Sequence, residues 1–484
     1  MPMRDMVLVL NFDDTASRAV TRKLRSERVM CKIVPGSTPL EEIQSMEPLG
    51  LILAGGSAGR NPGGLDDRIL KMGAPVLALG DAAGLMLTLL GGSAGERALW
   101  GAVTAVSYKA SPLFDNVESG ERLLPCAREF QLPPQLQALC FAQEIIVGFA
   151  HESLPLYGMQ IQVEQNDPDG SMMLRNFALN ICGCTAWWDD DAFVTRAVEE
   201  IGRVTGGGRA VCAVSGGLDS GVSALLAFKA LGANLKCIFV DTGLLRDREG
   251  DDFIAFYRDA LGMDITRVSA QDRFLEALRG VESADEKRRI VFELLQTVLR
   301  ETAEKLGPFD VEIRNNSCSD IMFGGGEDQR ILENIPVIEP VRELFSDEIR
   351  RVADFLGIPG DLISRQPFPA CGLAQRILGE VTLDRLKTLR AADAIFRSEL
   401  QRSSAAKRLW QYFALLFPLP GEEKGCSICL RAVQSSERVQ AYAARLPYDV
   451  LENVVDLILR DQKDVRRVVY DLSPSSNYSG IEWQ

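Results

Sequence analysis

Short apolar runs rich in Val, Ile and Leu alternate with amphipathic stretches along most of the chain. In the first part, "MVLVLNF", "MCKIVP", "GLILAGG" and "PVLALG" are separated by "ASRAVTRKLRSE" and "LEEIQSM" and followed by "LMLTLLGG". Runs that are apolar at nearly every position suit strands buried on both faces. Their alternation with helical patterns predicts a parallel sheet covered by helices. "GMQIQVEQ" and "NICGCTAWW" are expected to close this unit as strands, with a boundary near Asp190. A second α/β series begins at "RAVCAVSGG" and runs through "LKCIFVDTG" and "DITRVS" to a helix expected from about Ala284 to Leu306, then "FDVEIRNNS". Beyond Pro367 the expected helices "LDRLKTLRAADAIFRSEL" and "AAKRLWQYFALLF" precede the strands "SICLRAV" and "VRRVVYDL", the texture of a small α+β domain. The expected division is therefore residues 1–190, 191–365 and 366–484.

Length supports more than one domain, because 484 residues exceed what a single hydrophobic core usually serves. With 46% apolar and 25% charged residues, the composition is that of a soluble globular protein. A formal charge of −14 argues against nucleic acid or an anionic membrane surface as a main partner. The most apolar stretch, residues 73–92, is interrupted by Asp81 and several glycines, so a strand, a turn and a helix are expected there instead of a membrane span. Eleven Cys follow no regular spacing, and "MPMRDMVLVLNFDD" enters a strand pattern directly, which points to a reducing cytoplasm. The single histidine, His151, excludes any mechanism that needs two imidazoles. It is expected at the surface or a helix end.

The stretch with most chemical content is "AVSGGLDSGVSALLAFKALG", residues 213–232. A strand running through a Gly-rich turn into a helix presents backbone N–H groups at the positive end of a helix dipole, a site suited to phosphate. Ser215, Gly216, Gly217 and Ser220 would line it, and Asp219 would order the loop or meet Mg²⁺. No Lys of a Walker A motif is present, which disfavours a γ-phosphate-transferring P-loop. The bland alternative is a turn whose Gly and Ser only cap a helix.

Together with "CIFVDTGLLR", this stretch resembles the pyrophosphate loop and next strand of N-type ATP pyrophosphatases, specifically those of GMP synthases. The resemblance extends over most of the chain. "VLVLNFDDTASRAVTRKLRSERVMCKIVPGSTPLEEI" looks like the start of that family's glutamine amidotransferase domain, and "EPVRELFSDEIRRVADFLGIP" with "RQPFPACGLAQRILGEVT" like the junction into its C-terminal dimerisation domain. "LRAV…ARLPYDVLENV" and "RRVVYDL…GIEWQ" look like the end of that domain. The resemblance implies a flavodoxin-like amidotransferase domain, an adenine-nucleotide alpha-hydrolase-like parallel-sheet domain and a small α+β dimerisation domain. It also implies ATP and Mg²⁺ as cofactors, a purine-nucleotide substrate such as xanthosine monophosphate, and a homodimer. In the implied reaction ATP adenylates a carbonyl oxygen, pyrophosphate leaves, and ammonia displaces AMP. In complete members of the family a Cys nucleophile, a His base and an orienting Glu release that ammonia from glutamine.

The chain departs from the family at these positions. "VLALGDAAGLMLTLLGG" stands where the family has approximately "VLGICYGMQLMAxxLGG", so Gly80 occupies the nucleophile position. "GMQIQVE" stands for "GVQFHPE", placing Gln162 at the base position and retaining Glu164. Glutamine hydrolysis is therefore not expected, and Gly55 and Gly56 become strand-end packing and a vestigial oxyanion turn. In the second domain "KRRIVF" matches "KRKIIG", so Arg288 would take the substrate phosphate or belong to a solvated basic face. "RNNSCSDIMFG" retains Asp320 as a Mg²⁺ ligand but has Phe323 in place of the neighbouring Glu. The family's mobile "KSHHNVGGLPEDMK" is reduced to "GGGEDQ", residues 324–329, and near the C-terminus Ser475 replaces a substrate-contacting Lys and Gln484 a Glu, while Glu482 is kept. "CGC" (Cys182, Cys184) and "CSIC" (Cys426, Cys429) are expected to pack in strands, not to bind metal.

These readings give a diverged GMP-synthase-like ligase without glutaminase activity. Asp219 and Ser220 would act in catalysis, with Ser215, Gly216, Gly217 and Asp241 also at ATP, Arg288 and Glu482 at the substrate, and Asp320 at Mg²⁺. Its nitrogen would come from free ammonia or a separate glutaminase. The alternative is an inactive paralogue that keeps the fold as a binding or regulatory module.

Overall fold

The computed structural model describes residues 5–56, 64–161, 168–318, 320, 330–419, 425–434 and 442–474. Chain contacts divide it into two compact units, Met1–Phe193 and Val194–Gln484. The protein is α/β, as the alternation of runs predicts.

The first unit is built on a sheet of nine strands: β1 (Val7–Asn11), β2 (Cys31–Pro35), β3 (Gly50–Ala54), β4 (Val76–Leu79), β5 (Ser93–Tyr108), β6 (Gly120–Gln131), β7 (Leu136–Ala142), β8 (Ile145–His151) and β9 (Leu156–Met159). Their order is β2-β1-β3-β4-β9-β8-β7-β5-β6. The β2–β1–β3–β4–β9 part is parallel, and β9 joins β8 antiparallel to begin the antiparallel remainder. Residues 7–10 of β1 and all of β3 and β4 are buried, which is why their sequences are continuous apolar runs. "NICGC" is not a strand. It lies at the end of a wide helical turn, Asn176–Ile181, closed by Cys182 N–H donating to the Phe177 carbonyl at 2.8 Å. A five-residue hydrogen-bond spacing of this kind leaves no period-2 signature.

The second unit contains a parallel sheet of β10 (Ala210–Val214), β11 (Leu235–Asp241), β12 (Ile265–Ser269), β13 (Val311–Ile313) and β14 (Val337–Ile338), in the order β12-β11-β10-β13-β14. The helix Ala284–Leu306 matches the sequence expectation. A further sheet comprises β15 (Gln411–Pro418), β16 (Cys426–Gln434), β17 (Tyr442–Ala443) and β18 (Val465–Tyr470), with β16 at its centre. The stretch expected to continue as helix, "AAKRLWQYFALLF", is instead one short turn, Ala405–Arg408, followed by β15. Residues 411–416 are all buried and pair antiparallel with β16, so tertiary pairing overrides the helix preference of Ala and Leu. One buried cluster runs from Val211 and Ile238 to Ala414 and Ile428, giving the two sheets of this unit a shared core.

Candidate functional site

The Ser215–Ser220 loop sits at the carboxyl end of β10, the central strand of its sheet, where ligands of open α/β sheets bind. Gly217 caps the helix Leu218–Leu231 in an extended conformation, so the helix starts directly at the loop. N–H groups in such a first turn have no intrahelical acceptor and favour an anion. Ser220 is buried and braces the loop: its Oγ donates to the Gly217 carbonyl at 2.8 Å and accepts from Ser215 N–H and Ser215 Oγ–H, both at 3.2 Å. Ser215 and Gly217 are exposed, and Asp219 lies half-buried on the first helical turn. Beneath the loop, Phe239, Phe253 and Tyr257 stack in series with centroid separations of 5.9 and 4.3 Å.

Asp241 ends β11, beside the loop strand. Its Oδ1 accepts Gly243 N–H at 3.1 Å, and its Oδ2 pairs with Arg267 at 2.6 Å. Arg267 also reaches Asp251 at 2.7 Å, and these carboxylates raise the proton affinity of its guanidinium. Asp320 is exposed and accepts through Oδ2 from Ser317 N–H and Oγ–H at 2.8 and 2.7 Å. In the "KRR" stretch Arg288 pairs with Asp285 and Arg289 with Glu293 on an exposed helix face. Lys287 is 1% exposed and donates to the carbonyls of Ile377 and Gly379 at 2.7 and 2.5 Å, and burial lowers its amine to about 8. Gln162, Glu164 and Glu482, with residues 324–329, Ser475 and Gln484, lie outside the described residues.

Among the described residues no group of three or more His, Cys, Asp or Glu side chains is placed to hold a metal. Mg²⁺ is commonly held by one or two carboxylates plus substrate phosphates, so a single exposed carboxylate such as Asp320 is compatible with that kind of site. Cys426 and Cys429 face different clusters of β16, and burial raises both thiols to about 11. They therefore do not converge on one ion.

In the first unit β4 runs through Gly80 into the helix Asp81–Leu89, a strand–turn–helix of the nucleophile-elbow kind. Gly80 adopts φ 59°, ψ −133°, and a Cβ added there would lie 2.4 Å from both the Gly55 and the Gly56 carbonyl oxygens. Asp81 N–H, the position that stabilises an oxyanion in such elbows, donates to the Gly56 carbonyl at 2.7 Å. Gly80 thus carries no side chain, and the turn as it stands leaves no space for one. His151 is not at a helix end: it closes β8, its Nδ1 accepting from Ser153 and Leu154 N–H, both at 3.2 Å.

Sequence reasoning gave no role to a set of arginines beside the loop. Arg365 donates through Nη1 to the Glu249 carbonyl at 3.1 Å and more weakly to the Gly216 carbonyl at 3.4 Å, and pairs with Asp252. Arg390 donates to the carbonyls of Gly243 and Leu245 at 2.7 and 2.9 Å. Arg246 and Arg376 are buried around Asp393 at 3.8 and 3.9 Å, with Arg376 stacked on Phe413 at 4.0 Å. The only sequence signal was the resemblance of "RQPFPACGLAQR" to a domain junction.

Residues 398–483 match the family model of the GMP synthase C terminal domain. The chain is 36% identical to the glutamine-hydrolysing GMP synthase of Clostridium perfringens, an alignment that covers all of both chains. The chain belongs to the GMP synthase family. The glutamine-hydrolysing GMP synthase of Clostridium tetani is 35% identical over 99% of this chain and all of its own. Among solved structures, a putative GMP synthase subunit from Thermoplasma acidophilum aligns with a TM-score of 0.33 and 21% identity, covering 37% of this chain and 94% of that one. No helix among the described residues is long and apolar enough to cross a membrane.

Proposed function

We propose that this GMP synthase relative is an ATP-dependent, AMP-forming ligase that uses ammonia it does not itself release from glutamine. Its acceptor is xanthosine monophosphate or a related heterocycle. The observation that carries the reading is the contrast between two strand–turn–helix sites. The Ser215–Ser220 turn is internally braced and opens at a helix N-terminus, whereas the Gly80 turn has its elbow N–H and its side-chain space taken by the Gly55–Gly56 carbonyls.

A carbonyl of a purine ring is a poor electrophile with no good leaving group. Transfer of the adenylyl group from ATP to that oxygen makes AMP the leaving group and releases pyrophosphate, after which ammonia forms the C–N bond and AMP departs. In this reading the N–H groups around Gly216, Gly217 and Asp219 hold the pyrophosphate portion, Ser215 adds a hydroxyl donor, and Ser220 acts through the loop it braces. Asp241 at the neighbouring strand end orients the nucleoside part, and Asp320 contributes one carboxylate to Mg²⁺, which neutralises phosphate charge. Arg288 has to leave Asp285 to reach a substrate phosphate, an exposed pair of small worth. Residues 1–190 then form a non-hydrolysing amidotransferase-like domain, 191–365 the ATP pyrophosphatase domain and 366–484 the dimerisation domain of a homodimer. Ammonia arrives free or from a separate glutaminase.

The second reading, an inactive binding or regulatory paralogue, draws on the Arg267–Asp241 pair, which occupies a carboxylate assigned to the nucleotide. The test is release of AMP and pyrophosphate on mixing the protein with Mg²⁺–ATP, ammonium and xanthosine monophosphate, with glutamine in place of ammonium as the comparison. Turnover with ammonium alone is expected. A correctly folded protein that binds no ATP overturns the enzyme reading, and glutamine-driven turnover overturns the lost glutaminase.

A further inference from the structure

The loop that follows β11, residues 242–249, is held from outside its own sheet. Three consecutive carbonyls are each occupied by a donor from the segment 365–393: Gly243 by Arg390 Nη2 at 2.7 Å, Leu244 by the Leu373 N–H at 2.8 Å, and Leu245 by Arg390 Nε at 2.9 Å. The approach is close enough to need a glycine. Gly372 has φ 61°, and a Cβ on it would lie 2.4 Å from the Leu244 carbonyl oxygen. The next residue, Arg246, enters the buried group around Asp393 and lies 4.2 Å over the ring of Phe368. At the far end of the loop, Arg365 takes the Glu249 carbonyl and extends to Gly216 in the phosphate loop.

Both ends of this loop bear on the candidate nucleotide site. Asp241 precedes it and is oriented by Gly243 N–H, whose own carbonyl is held by Arg390. A loop left to itself populates many backbone conformations, and fixing each residue costs conformational entropy. Donors supplied by a packed helix, Leu383–Arg402, meet that cost before any ligand arrives.

We infer that Arg390 is a positioning residue for nucleotide binding: through the carbonyls of Gly243 and Leu245 it presets the loop that orients Asp241, with Arg365 extending the same clamp to Gly216. The segment expected to serve as a dimerisation domain thereby takes part in forming the ATP site. This inference rests on the proposed ATP reading, and the clamp itself has a readout independent of ATP.

The experiment compares full-length wild type with Arg390→Ala and Arg390→Lys, each first checked for folding by circular dichroism and thermal melting. Amide exchange is followed in peptides covering residues 242–249 and 215–218, and ATP affinity is measured by calorimetry with Mg²⁺. In Arg390→Ala, exchange across 242–249 is expected to accelerate at least tenfold while the core strand β10 stays protected, and the Kd for ATP to rise about tenfold or more. Arg390→Lys, with a single donor head, is expected to restore part of both effects. Unchanged exchange in Arg390→Ala overturns the clamp, and faster exchange with unchanged ATP affinity overturns the positioning role. If wild type binds no ATP, the positioning role fails with the proposed function, and the exchange result alone decides the clamp. Should Arg390→Ala fail to fold, Arg390→Lys with the same two readouts carries the decision: no change in either overturns the inference.

Discussion

The amide of Asp81 donates to the carbonyl oxygen of Gly56 at 2.7 Å. Introducing a thiol and an imidazole by Gly80→Cys with Gln162→His is therefore expected to give no glutamine hydrolysis, since the introduced Cβ meets two backbone carbonyls 2.4 Å away and the elbow N–H is already engaged. Glutamate release from glutamine should stay at the blank rate, and Gly80→Ala alone should lower stability by about 1–3 kcal/mol in urea melts. A double variant that releases glutamate would show that the turn opens.

Ser220 and Ser215 should separate cleanly. Ser220→Ala removes, from a buried side chain, the acceptor of Ser215 N–H and the donor to the Gly217 carbonyl. A loss of about 1–3 kcal/mol in stability is expected, with clearly weaker ATP binding. Ser215→Ala, at an exposed position, should leave the melting temperature within about 1–2 °C and reduce ATP affinity only. Calorimetric titration beside thermal melts distinguishes the two.

Asp393 serves three arginines at once, Arg246, Arg376 and Arg397, at 3.8, 3.9 and 3.7 Å, and also accepts Ala414 N–H at 3.0 Å. Asp393→Ala should cost about 3–5 kcal/mol, because it strands buried positive charge. Arg376 shows the opposite case. Its guanidinium nitrogens have no hydrogen-bond acceptor among the described residues, and it is packed against Phe413 and Phe368. Arg376→Met is expected to be neutral or stabilising in the same melts.

Lys287 gives a pH signature. Burial brings its amine from the ordinary 10.5 to about 8, so between these values the unfolded chain holds a proton that the folded protein has released. Stability from this residue accordingly rises as pH increases through that window, and the cost of burying the charged amine is fully present below about pH 8. Lys287→Met removes the rise. It also leaves the Ile377 and Gly379 carbonyls without their donor, so wild type should be the more stable and its lead should widen from pH 8 to pH 10. Urea melts of both proteins at unit pH steps check this, and a constant difference would refute it.

Local pattern made much of this architecture readable. β1, β3 and β4 are buried on both faces and so spell themselves as apolar runs, and the helix Ala284–Leu306 carries its own period. The strand, Gly-rich turn and helix at 210–231 were visible for the same reason: each is encoded within a few residues. β15 was not, because an unbroken apolar run cannot distinguish a buried strand from a buried helix, and its partner β16 lies beyond Pro418 in sequence. Nor was the role of Arg390 readable. Arginine donating to a backbone carbonyl 147 residues away obeys no spacing, and the acceptor is present in every residue type. Lys287 misled for a related reason: a basic run on a helix predicts a solvated or phosphate-binding face, yet the first of its three cations points into the protein.

The carbonyls of Gly55 and Gly56 that crowd Gly80 would make the proposed loss in the first unit behave like a ratchet. Once the side chain is gone and the neighbouring turn settles into its place, a single reverting substitution meets a closed door, and recovery needs the turn and the elbow to move together. Selection acting one codon at a time then sees no gain along the way back. On the proposed loss of glutamine hydrolysis, descendants of this chain would be committed to finding their nitrogen elsewhere, while the remainder of the domain would be free to drift toward whatever its surface can usefully touch.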